Sequence, residues 1–386
     1  MEFSFEDNAY TKLLIKIAGN SKVIKVSFLR IFIPFLVCWL PLAIMTLING
    51  TFWTGKISTS FITSFDTQTK LLISMPLFIL AQKLVSSKLR NIVNQFISSG
   101  IVTKEDNQKF KKIIYNQLRF LKSKWTNLTL FLICYLQVYL VLSYESTNTS
   151  FFTWQLEYSD GEASLNMVGK WATLVSRPFV LFLFYRWLLS ILVWGNTLRK
   201  ISNLKLNLYP EHPDLSGGIG FLGYSFRYFT PVTFAISVAI AGNMADFILI
   251  EGMHIVDLKI HALVYFIFIS LLFILPMMSF TLKMLEAKET SIYENNDFGN
   301  GMYRELHLKI KKGFNEVTSE DIDSSAYSAI SDYNALVNNV LQMKFLPFTL
   351  KDIIPIWFTT ALPFLAVLLL EIPFAEIIKD FLQIVV

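Results

Sequence analysis

RPFVLFLFYRWLLSILVWG (177–195) decides what kind of protein this chain forms. After Arg177 a single charge, Arg186, interrupts a run of aliphatic and aromatic residues. A helix needs about 20 such residues to cross the hydrocarbon core of a bilayer. Comparable runs recur along the chain and predict seven spans: Phe28–Ile48, Leu71–Val85 (short, with an extension toward Asp66), Leu128–Ser143, Trp171–Trp194, Phe229–Ile250, Ile260–Phe280 and Ile353–Leu370. Unpaired backbone groups are too costly in hydrocarbon for open strands, and no ten-residue alternation of a membrane barrel occurs. Composition agrees, with 53% hydrophobic and 16% charged residues among 386, where soluble domains carry about 25% charged. The expected fold is an all-α integral membrane protein.

Lysine and arginine set the orientation. They crowd the N-terminus (Lys12, Lys16, Lys22, Lys25), the segment 88–124 and the segment after span four (Arg199, Lys200, Lys205), whereas 144–170 holds four acids and one lysine. The positive-inside rule assigns the N-terminus to the cytoplasm. The net charge of +5 follows this topology, so the basic residues point to the bilayer as partner and not to nucleic acid. Cys38 and Cys134 both lie in apolar runs, which argues against a disulfide and against cysteine-based metal or redox chemistry. The first apolar run is long for a signal peptide and is read as a retained span.

These signals divide the chain into a cytoplasmic N-terminal segment (1–27), spans one and two (28–85), a basic αα-hairpin (86–126) and spans three and four with an acidic external loop (127–195). An interfacial helix and hinge (196–228), spans five and six (229–280), a cytoplasmic helical insertion (281–352) and a proline-kinked span seven with an interfacial C-terminal helix (353–386) follow. In the hairpin, Val85, Leu89, Ile92, Val93, Phe96 and Ile97 recur at helical spacing until Gly100. TKED (103–106) then caps a second helix with Phe110, Ile113, Ile114, Leu118, Leu121 and Trp125 on one face. The insertion is expected to turn at ENNDFGNG (294–301) and to end in a helix from Ser324 to Met343. Both amphipathic pieces are expected to pack together beneath the membrane.

Between spans four and five lies YPEHPDLSGGIGFLG (209–223). Pro213 holds His212 toward extended backbone, and Gly217, Gly218 and Gly220 allow positive φ or close approach. Two roles stay open: exposed loop amides can cradle an anion, or Asp214 can cap a tight re-entry turn. The Gly-Lys-Ser/Thr ending of a phosphate loop is missing.

HPDLSGGIGFLG (212–223) resembles the signature loop of a widespread group of uncharacterised bacterial multi-pass inner-membrane proteins. FDTQTKLLISMPLFILAQ (65–82), FISSGIVTKEDNQKF (96–110), SEDIDSSAYSAISDYNALVNNVLQMKFLPF (319–348) and the proline-rich end are similar to other parts of that group. Gln82 departs from the acid expected there. The resemblance implies an architecture and a bacterial inner-membrane location, and no activity.

Charges at membrane depth come next. An ionised group at the bilayer centre costs about 2.5–3.5 kcal/mol on insertion scales, so Arg186, Arg177 and Asp246 are candidates for a buried polar path, with Asp246 paired to one of the arginines. Arg177 and Arg227, nearer span ends, have headgroup contact as the simpler role. Glu251, His254, Asp257 and His261 are spaced 3, 3 and 4 apart and are legitimate metal ligands in type, but Gly252 interrupts any common helix, and a charged interfacial turn is preferred to a metal site. No hydrolase, kinase or dinucleotide motif occurs, so no catalytic residue and no cofactor are assigned.

Two functions fit. In the first, an ion or small-solute channel or transporter, spans four to six broken by the hinge line a polar path. His212, Asp214, Gly217, Gly218, Gly220, Arg177, Arg186 and Asp246 are its candidate residues. The alternative is a non-catalytic signalling or assembly scaffold that binds a cytoplasmic protein or a second copy of itself. A packed centre between His212 and Asp246 would favour the scaffold.

Overall fold

The computed structural model describes residues 23–145, 153–159, 162–313 and 324–371. Seven helical stretches within them are long and apolar enough to cross a membrane: Leu29–Ile48, Phe65–Ser98, Lys124–Ser143, Met167–Ser202, Gly220–Glu251, Ile255–Leu308 and Leu350–Glu371. The protein is an all-α, seven-span membrane protein. The expected N-terminal segment to residue 22 and the interfacial helix after Pro373 lie outside the described residues.

Proline placement explains where the spans break. Span one is α1 (Val23–Cys38) and α2 (Leu40–Ile48), parted just before Pro41. Span two joins α3 (Phe65–Gln68) to α4 (Met75–Ser98) through a π-helical turn at Thr69–Ser74. Its extension to Asp66 matches the sequence expectation. Span three is α6 (Lys124–Glu145), preceded by α5 (Asn107–Leu121). Span four repeats the device of span two: α7 (Met167–Trp171), a π turn at Ala172–Ser176, then α8 (Arg177–Ser202). Pro76 and Pro178 each occupy the second residue after the π turn. A proline ring has no amide to donate and crowds the carbonyl four residues back, and widening the preceding turn relieves both problems.

Span five begins with a 3₁₀ turn at Gly220–Gly223, continues through α9 (Tyr224–Tyr228) and completes α10 (Thr230–Glu251) after Phe229. Span six is α11 (Ile255–Met277), which leads through Met278–Phe280 into α12 (Thr281–Gly313). Then come α13 (Ser324–Gln342) and span seven, α14 (Leu350–Glu371), with Pro355 and Pro363 inside it. The acidic loop carries a short hairpin, β1 (Leu156–Ser159) antiparallel to β2 (Glu162–Leu165). Cys38 and Cys134 are buried free thiols.

Three expectations are corrected. No separate interfacial helix follows span four, because α8 runs unbroken to Ser202. ENNDFGNG does not turn: α12 passes straight through it. Packing overrides weak propensity there, since Tyr333 of α13 donates its hydroxyl to the Asn295 carbonyl and lies 3.1 Å from where a Gly299 Cβ would stand. Trp125 does not share the buried face of the hairpin helix. That helix stops at Leu121, and Trp125, at the start of α6, is 78% exposed.

The core is aromatic where spans four to seven converge. Trp187 meets Phe229 edge-on at 6.5 Å, Phe229 meets Phe273 at 5.2 Å, and Phe226 bridges Phe273 (6.3 Å) to Phe348 (5.1 Å). Gly195 lets span four close on span six, because a Cβ there would stand 2.7 Å from Pro276 Cγ. From Val232 to Asp246, α10 buries eleven residues.

Candidate functional site: the hinge and its cleft

Asp214 organises the hinge. Its Oδ1 accepts the amides of Ser216 (2.8 Å) and Gly218 (3.1 Å), and its Oδ2 accepts that of Gly220 (2.9 Å). His212 stands beside it, with Nδ1 2.9 Å from Oδ1. Leu215, Gly217 and Gly218 adopt positive φ of 54°, 67° and 85°. Left-handed backbone is open to glycine and costly for a branched residue such as Leu215. Gly220 serves close approach instead: a Cβ there would lie 2.9 Å from Asp214 Oδ2. The amides that the sequence offered to a bound anion are therefore held by the chain's own carboxylate, and of the two open roles the capped re-entry turn is the one observed.

The hinge is also the joint between the two helical pieces on the basic side. Toward the hairpin, Val102 bridges Leu206, Asn207 donates its amide to the Ile101 carbonyl (2.8 Å), and Lys205 donates its amide to Asp106 Oδ2 (2.9 Å). The hydrogen-bonded Lys109 ammonium first, and the Lys205 amide second, hold the Asp106 carboxyl below its ordinary range. Toward the insertion, Glu211 Oε1 accepts from Ser291 Oγ (2.5 Å) and Asn295 Nδ2 (3.1 Å), Asn339 Nδ2 donates to the Glu211 carbonyl (3.0 Å), and Lys344 donates its amide to Leu215 (2.9 Å). Burial pushes the Glu211 carboxyl up, but the hydrogen bond from Ser291, with those from its own backbone and Asn295, more than offsets this, and its pKa falls. The two pieces thus meet through the hinge.

A cleft of about 520 Å³ opens between the hinge, the end of α4 and the start of span seven. Its walls include Gln95, His212, Asp214, Tyr224, Thr349 and Asp352. Asp352 repeats the logic of Asp214. Its Oδ2 accepts the Thr349 amide (2.9 Å) and hydroxyl (2.8 Å), starting α14, and a Cβ on Gly223 would lie 2.8 Å from that oxygen. The inner wall is Phe348, which joins the aromatic cluster of spans four to six.

Arg177, Arg186 and Asp246 do not line this cleft. Asp246, 26 residues beyond Gly220 along span five, lies roughly 40 Å away at helical rise. The expected arginine pairing is corrected: Asp246 accepts the amides of Phe65 (2.9 Å) and Asp66 (2.7 Å) and so caps the start of span two. Asp66 in turn pairs with Lys70. Arg186, buried in α8, donates to the carbonyl of Leu121, the last residue of the hairpin helix α5. Arg177 opens α8, on the far side of span four from the hinge. Arg227, expected at the headgroups, lies 3.9 Å from Asp352 Oδ1 and over the Tyr224 ring.

The four candidate metal ligands separate. Glu251 ends α10, Gly252 turns left-handed, and His254 precedes α11, where its Nδ1 meets Glu371 Oε1 of span seven at 2.8 Å. Among the described residues no group of three or more metal-ligating side chains converges. Sequence reasoning passed over Glu211 and Asp352. Thr349-x-x-Asp352 ahead of an apolar run is a capping-box pattern that would have found the second. Nothing local marks Glu211, whose partners lie 80 to 128 residues away.

In comparisons with known proteins, no family model, no curated protein and no solved structure matches this chain.

Proposed function

We propose that this protein is a multi-pass membrane scaffold for signalling or assembly, acting through the helices on its basic side. What supports this is the hinge itself, which is hydrogen-bonded at once to the hairpin through Asn207 and to the insertion through Glu211. A rearrangement in either piece is thereby tied to the start of span five. The aromatic cluster from Phe348 to Trp187, inward of the cleft, favours a packed centre over a path. On this proposal the membrane is a bacterial inner membrane with the basic side cytoplasmic, supported by the charge distribution and the resemblance of the 212–223 loop. The partner is a cytoplasmic protein or a second copy of the chain.

The test is a site-specific photo-crosslinker at Tyr303 or Leu336, exposed on α12 and α13, with the same position in a Glu211→Ala variant. The scaffold requires one defined adduct, identical in repeated preparations, that weakens in Glu211→Ala. Adducts that ignore the variant would overturn it.

Permeation keeps one specific support. The π turns of spans two and four, and the Asp246 cap where span two starts, are departures from regular helix at membrane depth, which transporters use at their sites. Ion flux through proteoliposomes that disappears in a folded Asp246→Asn variant would establish permeation and displace the scaffold.

A further inference from the structure

We propose that the hinge cleft binds an aliphatic diamine or polyamine, with ammonium groups at Asp214 and Asp352. The proposal concerns the cleft alone and holds whether the protein is a scaffold or a pore.

Spacing is the first argument. Gly220 and Gly223 are three residues apart in one 3₁₀ turn, and each makes room for one aspartate. In a 3₁₀ turn such positions eclipse on one face with about 6 Å of rise. The two carboxylates therefore stand on the same side of the turn at a separation matched by two ammonium groups on a four-carbon chain.

Charge is the second. The amides of Ser216, Gly218 and Gly220 are already taken by Asp214, so the hinge offers none of these three to an anion. His212 Nδ1 stands on Asp214 Oδ1, leaving Oδ2 as the oxygen nearer the ligand. Asp352 Oδ2 is satisfied by Thr349, while Oδ1 has the Arg227 guanidinium, the one ion-pair partner it shows among the described residues, at 3.9 Å, beyond hydrogen-bond reach.

Arg227 supplies the third and most direct argument, because the chain already places a cation here. Its guanidinium carbon lies 5.9 Å from the Tyr224 ring centre while its Nη2 approaches Asp352. This is the geometry in which a tyrosine face and a carboxylate share a positive charge. The half-made contact leaves Asp352 open to a better-fitting ammonium. Tyr209 and Tyr224, 48% and 49% exposed, line the cleft and supply apolar surface for the methylene chain. A volume of about 520 Å³ suits a small organic molecule and is far larger than a bare metal ion needs.

Bound diamine would tie the hinge to the start of span seven. It would bridge Asp214, whose loop holds the insertion through Lys344, and Asp352, which starts α14.

The test is calorimetric titration of the detergent-purified full chain with putrescine, beside butylamine, magnesium chloride and inorganic phosphate at matched ionic strength. Putrescine should bind, and butylamine should bind at least about tenfold more weakly, the worth of one charge-assisted hydrogen bond. Asp352→Asn keeps an acceptor for Thr349 and should weaken putrescine by about the same factor. Arg227→Gln removes the resident competitor and should tighten it. Equal binding of putrescine and butylamine, magnesium or phosphate binding as tightly, an unaltered Asp352→Asn or no binding at all would each overturn the proposal. Circular dichroism and gel filtration of both variants establish that each is folded.

Discussion

Asp246 of span five holds the amide of Asp66 at 2.7 Å across 180 residues of sequence. With the Phe65 amide on its other oxygen, the carboxylate satisfies two of the donors that the start of span two leaves open. Gly242, one turn earlier, permits the approach: a Cβ there would overlap Thr69 Oγ1 and stand 2.9 Å from the Phe65 carbonyl. A carboxyl group at this depth is tolerated because these two amides replace the water it gives up.

Replacing Asp246 with Ala removes both bonds and leaves the amides of a partly buried helix start without these partners. The expected loss is about 2–3 kcal/mol of stability in detergent, with Asn recovering part of it. Gly242→Ala should cost about 1–3 kcal/mol by overpacking. Thermal unfolding of the three variants checks both figures, and an Asp246→Ala protein as stable as the parent would refute the capping role.

Arg186, 6% exposed, closes the C-terminal end of α5 by donating to Leu121. Its charge also faces the negative end of that helix dipole. Arg186→Met keeps the apolar bulk and should cost about 1–3 kcal/mol, with hydrogen exchange rising first in the last turn of α5. Exchange that rises uniformly instead would show that Arg186 does not act through that helix end.

The Glu211 latch should weaken in acid. Its folded pKa lies below the ordinary 4.5, so its contribution is present above 4.5 and is lost as pH falls through the lowered value. Protection of the α13 amides near Asn339 should fall in that window for the parent chain. In Glu211→Gln it should already be reduced and should change little with acid.

The tether between His254 and Glu371 has the opposite sign. The hydrogen bond to the Glu371 carboxylate raises the His254 pKa above 6.5. Its contribution is complete below 6.5 and disappears as pH rises through the raised value. The stability difference between the parent and His254→Gln should shrink over that rise. A difference that stays constant across it would show that the imidazolium contributes nothing.

Much of this architecture was legible because the bilayer imposes a local rule. A segment such as 177–195 must be apolar along its whole length, so span four announces itself whatever it packs against. Gly100 marked the hairpin turn for a similarly local reason and is observed at φ 72°, whereas the expected TKED cap is not made: Asp106 makes no side-chain cap bond and accepts the Lys205 amide instead. Where the outcome depended on a distant partner, sequence reasoning failed. ENNDFGNG has turn composition but stays helical because Tyr333 packs on Gly299 and bonds Asn295. Asp246 and Arg186 were recognised as buried charges, yet each found a backbone group and not the other.

The sequence by itself therefore determined the number of spans, their helical nature and the glycine-dense hinge, all consequences of composition and near-neighbour chemistry. Only the tertiary structure decided what those parts do for one another. It turned the hinge amides inward onto Asp214, set Asp352 beside Gly223, and joined hairpin to insertion through Asn207 and Glu211. Hydrogen bonds and close contacts between residues far apart in the chain are chosen by packing, and their chemistry is shared by many pairs that never meet.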